Sequence, residues 1–369
     1  MKISSIDIFP LSIPLKGSFR NARLAKTCQE SIVLKVHTDE GTEGVGNVDP
    51  DPGYSEESFS EILAAIRQLA QNVIGIDPLN ILAALDRMDR IFPGKLDAKA
   101  AIEMALFDLK GKVLGVPVHS LLGGHLREEI TLNAWIGMLS PDEAAREAVS
   151  WLEGGFRSAK IKVGSGVGSD RDRVQAVREA VGKKMVLRVD ANEAYTVDDA
   201  IRLGRAITPF DVSLFEQPVQ RRDLAGMAKV RKAVEIPIMA DESIVGPQTL
   251  IEVIKKEAAG IVKVKVMKQG GIHRTVQMIE MAEAAGISCV IGHGFGLAID
   301  TLSEIHIAAS CRNVLEGCEF VGPLKMEGDV VKKPLWMEGG KVKVPHDPGL
   351  GSEIDEEKIR KWSLDQEKR

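Results

Sequence analysis

Three acidic residues in the middle of the chain each end a strand-like run. Asp190, Glu216 and Asp241 follow one another at intervals of about 25 residues. This spacing is typical of parallel strands that alternate with helices, and the carboxyl ends of such strands meet at one edge. Three carboxylates gathered there would repel one another unless a cation lay among them. Oxygen ligands suit a hard divalent ion, so the pattern predicts a Mg²⁺ or Mn²⁺ site. The alternative is that each residue only caps the helix that follows its strand.

Two other strand-like runs alternate lysines with apolar residues and bracket the three acidic runs. The first carries Lys160 and Lys162, and the second carries Lys263 and Lys265. Alternate strand residues face opposite sides, so the lysines share the face that the apolar residues leave. A buried ammonium needs a carboxylate partner or a lowered pKa, and a second lysine two residues earlier favours the neutral base. The pattern predicts that lysines of the two runs approach a substrate from opposite faces, with Lys162 favoured as a neutral base. The alternative is that the lysines only extend to a polar mouth.

The elements that would position these residues alternate regularly from about residue 130. Strand candidates begin near residues 131, 158, 185, 212, 236, 261, 287 and 314, and helix candidates cover 141–153, 170–181, 197–207, 222–233, 247–258, 272–285 and 298–310. Eight strands with seven helices between them predict an α/β fold, a modified (β/α)7β barrel of the TIM type. A doubly wound sheet is the alternative, but the glycines at 164–168 follow the second strand and lack the dinucleotide-binding spacing.

The rest of the chain predicts a cap over this barrel. Strand-like runs at 6–15, 31–37 and 43–48 precede helical periodicity over 56–122, which indicates an α+β domain. We expect an N-terminal capping domain at 1–125, a catalytic barrel at 126–320, and a C-terminal segment at 321–369 that returns to complete the cap. Polar loops at 16–30 and 49–55 are predicted to cover the site.

Composition narrows the class of protein. The formal net charge is −5, and no basic run or long apolar run occurs, so neither a nucleic acid nor a membrane is predicted as a partner. The four cysteines lack C-x-x-C spacing, which favours reduced thiols and a cytoplasmic location.

The motifs around these residues resemble a known family. They are Lys-x-Lys at 160–162, Val-Asp-Ala-Asn at 189–192, Glu-Gln-Pro at 216–218, Ala-Asp-Glu-Ser at 240–243, and Lys265 shortly before Gly270-Gly271. Together they resemble the mandelate racemase and muconate lactonizing enzymes of the enolase superfamily. The resemblance is strongest to the muconate-lactonizing subgroup, which contains muconate cycloisomerases, dipeptide epimerases and o-succinylbenzoate synthases.

The resemblance implies an isomerase that removes the proton α to a substrate carboxylate through a metal-stabilised enediolate. It assigns acid/base roles to Lys162 and Lys265, electrostatic roles to Lys160 and Asn192, and metal ligation to Asp190, Glu216 and Asp241. It also implies a small-molecule carboxylate as the partner and a homo-oligomer.

The substrate is less constrained by the sequence. The segment 316–324 lacks the Asp-x-Asp with which dipeptide epimerases of this family hold an ammonium group, and it is closer to the Glu-x-x-Gly-Pro of muconate cycloisomerases. Cycloisomerisation and racemisation or epimerisation both stay open. The alternatives are a lyase of the dehydratase or o-succinylbenzoate synthase type and a non-catalytic, metal-stabilised binding barrel. Five residues are predicted to contact substrate: Tyr54, Trp135, His293, Glu319 and Phe320. For His293, Trp135 and Tyr54, a purely structural role is the alternative.

Overall fold

The protein is described by a computed structural model that covers residues 1–20, 22, 25–51 and 57–364. It contains a three-stranded antiparallel sheet with three helices, a seven-stranded parallel sheet with its surrounding helices, and a small three-stranded sheet. In the described part of the chain, no helix is long and apolar enough to span a membrane. All four cysteines are free thiols.

The first sheet and its helices form the N-terminal cap. Its strands are β1 (Ile3–Arg20), β2 (Ala25–Thr38) and β3 (Glu43–Val48), and its helices are α1 (Phe59–Val73), α2 (Ile81–Ile91) and α3 (Leu96–Leu114). Helix α3 lies directly on β3 because Gly44 and Gly46 have no side chains. A Cβ atom at Gly46 would lie 2.0 Å from the carbonyl oxygen of Ala101. The cap therefore depends on this close approach of two backbones.

The predicted loop at 16–30 is wrong for most of its length. β1 continues to Arg20 and β2 begins at Ala25, and the two strands pair through Pro14 with Cys28 and through Phe19 with Lys26. Most residues of this extension are polar and exposed. The extension therefore lacks the alternation of apolar and polar residues that marks a half-buried strand in the sequence. The extension makes a long hairpin, and Phe19 and Lys26 at its end reach the mouth of the barrel.

The parallel sheet forms the barrel. A short helix α4 (Val118–Leu121) leads from the cap to it. The strands are β5 (Ala134–Ile136), β6 (Ser158–Lys162), β7 (Val186–Asp190), β8 (Val212–Glu216), β9 (Ile238–Ala240), β10 (Ile261–Val264) and β11 (Ser288–Ile291), paired in that order. The helices are α5 (Pro141–Glu153), α6 (Val167–Val181), α7 (Val197–Ile207), α8 (Leu224–Ala233), α9 (Pro247–Lys255), α10 (Val266–Gln269), α11 (Ile272–Ala284) and α12 (Ala298–Ser310). Two 3-10 turns, Gly182–Lys184 and Thr208–Phe210, precede β7 and β8.

The barrel is closed by residues 314–319 rather than by a regular eighth strand. The Glu319 N–H donates to the Ile291 carbonyl, and the Cys318 N–H donates to the Thr131 carbonyl, both at 2.9 Å. This segment therefore bridges β11 to the residues before β5. The strand predicted near 131 divides in two, because β4 (Glu129–Thr131) joins the small sheet and only β5 belongs to the barrel.

The C-terminal segment returns to the cap, as the sequence predicted. It contains α13 (Gly322–Lys325), β12 (Met337–Glu338), β13 (Lys341–Lys343) and α14 (Glu356–Trp362). Leu11 and Leu15 of β1 form bridges with Ser363 and Met326, and Lys35 of β2 forms an ion pair with Glu356. β13 pairs with both β12 and β4 to make the small sheet.

Candidate active site

Five neighbouring strands each bring one charged residue to the carboxyl end of the barrel. In spatial order these residues are Lys162 on β6, Asp190 on β7, Glu216 on β8, Asp241 directly after β9, and Lys265 directly after β10. All five are buried. The acidic residues are thus flanked by one lysine on each side, as the alternation in the sequence predicts.

Lys162 belongs to the half of the site formed by β6 and β7. Its Nζ donates to Asp190 Oδ2 at 2.5 Å and to Asn192 Oδ1 at 2.8 Å. Asn192 in turn donates from its side chain to Glu242 at 3.1 Å. Its backbone φ of +44° lies in the left-handed region, in which asparagine is among the better tolerated residues. The turn after β7 thereby brings the Asn192 amide to Lys162.

Lys265 belongs to the opposite half of the site. Its Nζ lies 2.7 Å from Asp241 Oδ2 and 2.5 Å from Oδ1. Lys268, one turn later on α10, contacts the same carboxylate at 2.7 Å. The Asp241 N–H donates to the side-chain oxygen of Gln217, which fixes the end of β9. Two ammonium groups therefore share one carboxylate at this side of the barrel.

Glu216 occupies the middle of the row and contacts the other two lysines. Lys160 Nζ lies 2.9 Å from Glu216 Oε2, and Lys263 Nζ lies 3.4 Å from Oε1. Both lysines also form ion pairs with Glu319. Glu319 thus faces the barrel interior, where it balances the charge of the two lysines.

The charges shift one another's protonation. Burial, together with the ammonium groups of Lys268 and Lys263, lowers the pKa of Lys265 to about 7. Burial raises the pKa of Asp241, but Lys265 and Lys268 outweigh it and hold this pKa well below the usual value. Burial and the neighbouring Asp190 raise the pKa of Glu216 to about 8. Lys265 is therefore close to the point at which it gains and loses a proton at neutral pH.

A cavity with about 40 Å³ of water-accessible space lies beside this row, and most of the charged side chains that line it are basic. Its polar lining includes Lys160, Lys162, Lys263 and Lys325, against a single carboxylate from Glu319. Three aromatic rings, those of Phe19, Trp135 and Phe295, line the rest. The Phe19 and Phe295 rings meet edge to face at 4.7 Å, so the hairpin of the cap contacts the barrel mouth.

Lys325 is the unusual member of this lining. It is the last residue of α13 and is 8% exposed. Its Nζ lies over the rings of Phe295 at 4.2 Å and Trp135 at 4.4 Å. No carboxylate of the described chain lies within ion-pair distance of it. Burial, followed by the repulsion of Lys162 and Lys160, lowers its pKa well below the usual value. Among the residues that the structure describes, the contacts of this buried amine are therefore with aromatic faces.

Only some of the predicted substrate-binding residues line this cavity. Trp135 and Glu319 line the cavity, whereas Phe320 is buried and is not part of that lining. His293 is buried, and its Nε2 lies 2.7 Å from the Asp49 carbonyl oxygen. Tyr54 falls outside the described residues. Burial lowers the pKa of His293 to about 3, so its ring is neutral at physiological pH.

Sequence reasoning missed three residues that shape this site. Lys325 and Phe295 reach the cavity from separate segments, and only the fold brings them together. Lys268 had a signal in the sequence, because it follows Lys265 by three residues at the start of a helix and so lies near it.

The donor set fits a hard divalent cation. Asp190, Glu216 and Asp241 are completely buried and offer only oxygen ligands. Beside them, Glu242 Oε2 is buried and has no hydrogen-bond partner among the described residues. Burial, Asp241 and Asp190 raise the pKa of Glu242. Closely packed carboxylates with one orphaned oxygen are typical of a place where a cation supplies the missing positive charge.

Two family models match the chain. One is described as "Enolase C-terminal domain-like" and matches residues 143–358. The other is described as "Mandelate racemase / muconate lactonizing enzyme, N-terminal domain" and matches residues 5–123. The chain belongs to the mandelate racemase/muconate lactonizing enzyme family. It is thus an isomerase-type member of the enolase superfamily, which confirms the resemblance drawn from the motifs.

Relatives within the mandelate racemase/muconate lactonizing enzyme family cover nearly the whole chain. The N-succinyl-L-Arg/Lys racemase of Bacillus cereus is 33% identical over 369 residues, which is 100% of this chain and 99% of that protein. Its crystal structure covers 99% of this chain and 98% of that chain with a TM-score of 0.96.

Other members of the family with different substrates are also similar. A crystal structure of the dipeptide epimerase of Enterococcus faecalis with Mg and the dipeptide L-Leu-L-Tyr is 34% identical, with a TM-score of 0.92 over 95% of this chain and 99% of that one. A muconate lactonizing enzyme from Pseudomonas fluorescens, with muconolactone, is 31% identical, with a TM-score of 0.95 over 98% and 99%. The family is therefore shown, while its members differ in substrate.

Proposed function

We propose that this protein is a Mg²⁺-dependent racemase or epimerase that exchanges the proton on the carbon α to a substrate carboxylate. The observation that supports it most is the row Lys162, Asp190, Glu216, Asp241 and Lys265 across five adjacent strands. A lysine at each end of a row of carboxylates can approach one substrate carbon from two sides. Inversion at that carbon needs this arrangement, because the proton leaves one face and returns to the other.

Asp190, Glu216 and Asp241 would hold the metal ion. The relative from Enterococcus faecalis has been crystallised with Mg, which supports this ion. When bound, Mg²⁺ supplies positive charge that offsets the negative charge developing on the substrate carboxylate as the α-proton leaves. Lys162 and Lys265 now contact the oxygens of Asp190 and Asp241. In the active complex, these two ammonium groups would turn from the carboxylates toward the substrate carbon.

Each lysine would act as base toward one stereoisomer and as acid toward the other. Lys265 suits this task because its pKa of about 7 lets both protonation states exist at neutral pH. Lys160, Lys263 and Asn192 would tune the site without transferring protons. Asn192 accepts a hydrogen bond from Lys162 and so orients it, and the other two lysines balance Glu216 and Glu319.

The charge of the cavity supports a substrate with a second anionic group. A dipeptide would bring a free ammonium group toward the ammonium groups of Lys160, Lys162 and Lys263, and such like charges repel. A distal carboxylate would instead favour the protonated form of Lys325 and pair with it, which no carboxylate of the described residues does. We therefore propose an N-acylated amino acid whose acyl group ends in a carboxylate, as in the N-succinyl substrates named for the Bacillus cereus relative.

Cycloisomerisation of a dicarboxylate is the second candidate function. The same cationic cavity favours it, and muconate cycloisomerases are among the relatives. In that reaction only one lysine would transfer a proton. The domain boundaries, the homo-oligomeric state and the cytoplasmic location given above stay predictions.

A matched substrate panel tests this proposal. N-succinyl amino acids would be compared with N-butanoyl analogues, which have the same chain length but lack the distal carboxylate, and with dipeptides and cis,cis-muconate. Racemisation would be followed by polarimetry in Mg²⁺ buffer. We expect kcat/KM to be highest for N-succinyl compounds. Preference for dipeptides with a free ammonium would contradict the charge argument, and turnover of muconate alone would favour the second candidate.

A further inference from the structure

Four histidines cluster where the cap, the start of the barrel and the C-terminal segment meet. The rings of His125, His306 and His346 have their centroids 4.6, 5.4 and 5.5 Å from that of His119. The chain has seven histidines in all, so more than half lie in this one cluster. None of the four lines the cavity of the candidate active site.

His119 is the buried centre of the cluster, and its ring is poorly satisfied by hydrogen bonds. Its residue is 3% exposed, and within the described chain its ring makes one contact of poor hydrogen-bond geometry, with the backbone of Pro345. Buried polar groups almost always have a partner. Burial lowers the pKa of this ring, and the nearby His125 and His346 lower it further. A neutral imidazole with an unused lone pair is the form that binds a metal ion.

His306 has a different task from the other three. Its Nδ1 accepts a hydrogen bond from the His119 N–H at 3.2 Å, and its Nε2 lies 3.3 Å from the Leu350 carbonyl oxygen. Both of its nitrogens are therefore engaged with the backbone. His306 positions the short helix α4 and is not available as a ligand.

The remaining three histidines and one carboxylate make a ligand set. One nitrogen from each of His119, His125 and His346 lies within 4.8 Å of the others. Glu128 bridges the two outer rings, at 2.8 Å from His125 Nε2 and 3.0 Å from His346 Nε2. Imidazole nitrogens and carboxylate oxygens are both ligands of tetrahedral Zn²⁺, and three histidines leave one position for the carboxylate.

The backbone of these four residues is held in place without a metal ion. The Gly124 N–H donates to the His119 carbonyl at 2.9 Å, and the Val344 N–H donates to the Glu128 carbonyl at 3.0 Å. β4 and β13 pair directly beside them. Metal–nitrogen distances of about 2.0–2.1 Å in a tetrahedron would require the rings to move together by roughly 1 Å. The exposed side chain of His346 has the freedom to make most of that movement.

We propose that His119, His125, His346 and Glu128 form a binding site for a borderline transition-metal dication such as Zn²⁺, separate from the active site. The ion would fasten the C-terminal segment to the linker between cap and barrel. Imidazole ligands favour Zn²⁺, Co²⁺, Ni²⁺ and Cu²⁺ over Mg²⁺, which prefers oxygen ligands. The site would therefore not compete for the ion of the active site.

Cobalt binding gives a direct test on tag-free, chelator-treated protein kept in excess Mg²⁺. We expect one equivalent of Co²⁺ to produce the intense visible bands of tetrahedral coordination, and Zn²⁺ to displace it. Zn²⁺ should also raise the Tm by a few degrees, because it binds only the folded form. No tetrahedral spectrum, or a spectrum that persists unchanged in His346→Gln, would overturn the proposal.

The variants separate this site from nonspecific binding and from misfolding. His346→Gln removes an exposed ligand, and we expect it to weaken Co²⁺ binding at least 100-fold while leaving Mg²⁺-dependent turnover unchanged. His37→Gln is the matched control, since His37 is also paired with carboxylates, those of Asp7 and Glu43, on the surface. Equal losses in both variants would also count against the site. His125→Gln provides a second ligand removal if His346→Gln does not fold.

Discussion

Replacing Lys325 with methionine should have opposite effects on activity and stability. Methionine keeps the unbranched, flexible shape of the side chain and its contact with the rings of Phe295 and Trp135, but it removes the amine. If Lys325 binds the distal carboxylate of the substrate, a buried charge-assisted contact worth about 2–3 kcal/mol is lost. That corresponds to roughly a 30- to 160-fold decrease in kcat/KM. N-butanoyl analogues, which lack the carboxylate, should be affected much less.

The stability of the same variant should increase. The amine is buried without a carboxylate partner in the described chain, and its pKa lies well below 10.5. The unfolded chain therefore binds a proton more readily than the folded one, and wild-type stability rises with pH until 10.5. Methionine removes this penalty, which we estimate at about 1–3 kcal/mol in the free energy of unfolding. The gain should be largest at low pH and shrink as the pH approaches 10.5.

Urea denaturation at several pH values and kcat/KM on both substrate types would measure these effects. Lys361→Met is the matched control, because Lys361 also lies over an aromatic ring, that of Trp362 at 4.2 Å, but on the surface. We expect it to change neither quantity appreciably. A less stable Lys325→Met, or equal loss of activity on succinyl and butanoyl substrates, would refute the assigned role of the amine.

Two further predictions concern the metal and the pH dependence. Chelation should abolish turnover, and Mg²⁺ or Mn²⁺ should restore it; full activity after exhaustive EDTA treatment would contradict the mechanism. Glu216→Gln should lose metal affinity in calorimetry. It should keep its fold, because burial already raises the pKa of Glu216 to about 8 and so favours an uncharged side chain there. For the stereoisomer from which Lys265 removes the proton, kcat/KM should rise with pH through about 7, because the base must be neutral. In Lys268→Met this rise should occur at higher pH, because the charge of Lys268 lowers the pKa of Lys265. A rise at the same pH in this variant would mean that another group titrates.

The sequence predicted the row of charged residues well because a parallel barrel imposes regular constraints on it. Each strand of the row ends in or beside a polar residue, and the repeat of about 25 residues brings Asp190, Glu216 and Asp241 to one edge. Lys263 and Lys265 also both face the carboxylates of this row, as their alternation with apolar residues predicts, although β10 ends at Val264 and Lys265 is the first residue beyond it.

Other features could not be predicted because they depend on contacts between distant segments. The strand extensions at 16–20 and 25–30 are polar and partly exposed, so they have no apolar alternation to mark them as strand. The aromatic rings around Lys325 come from three distant segments: Phe19 from the cap, Trp135 from the first barrel strand, and Phe295 from the loop after β11. The eighth strand is reduced to bridges at Val314 and Cys318, whose partners are set by barrel closure rather than by local propensity.

In the proposed mechanism, Lys162 and Lys265 transfer protons at opposite faces of one carbon. The direct measurement is α-proton exchange with D₂O, followed by NMR for each enantiomer of an N-succinyl amino acid in Lys162→Ala and Lys265→Ala. We expect both variants to lose racemisation by about 10²–10⁴-fold or more, while each still exchanges the proton of one enantiomer, a different one in each variant. Loss of all exchange in one variant and undiminished racemisation in the other would contradict the claim.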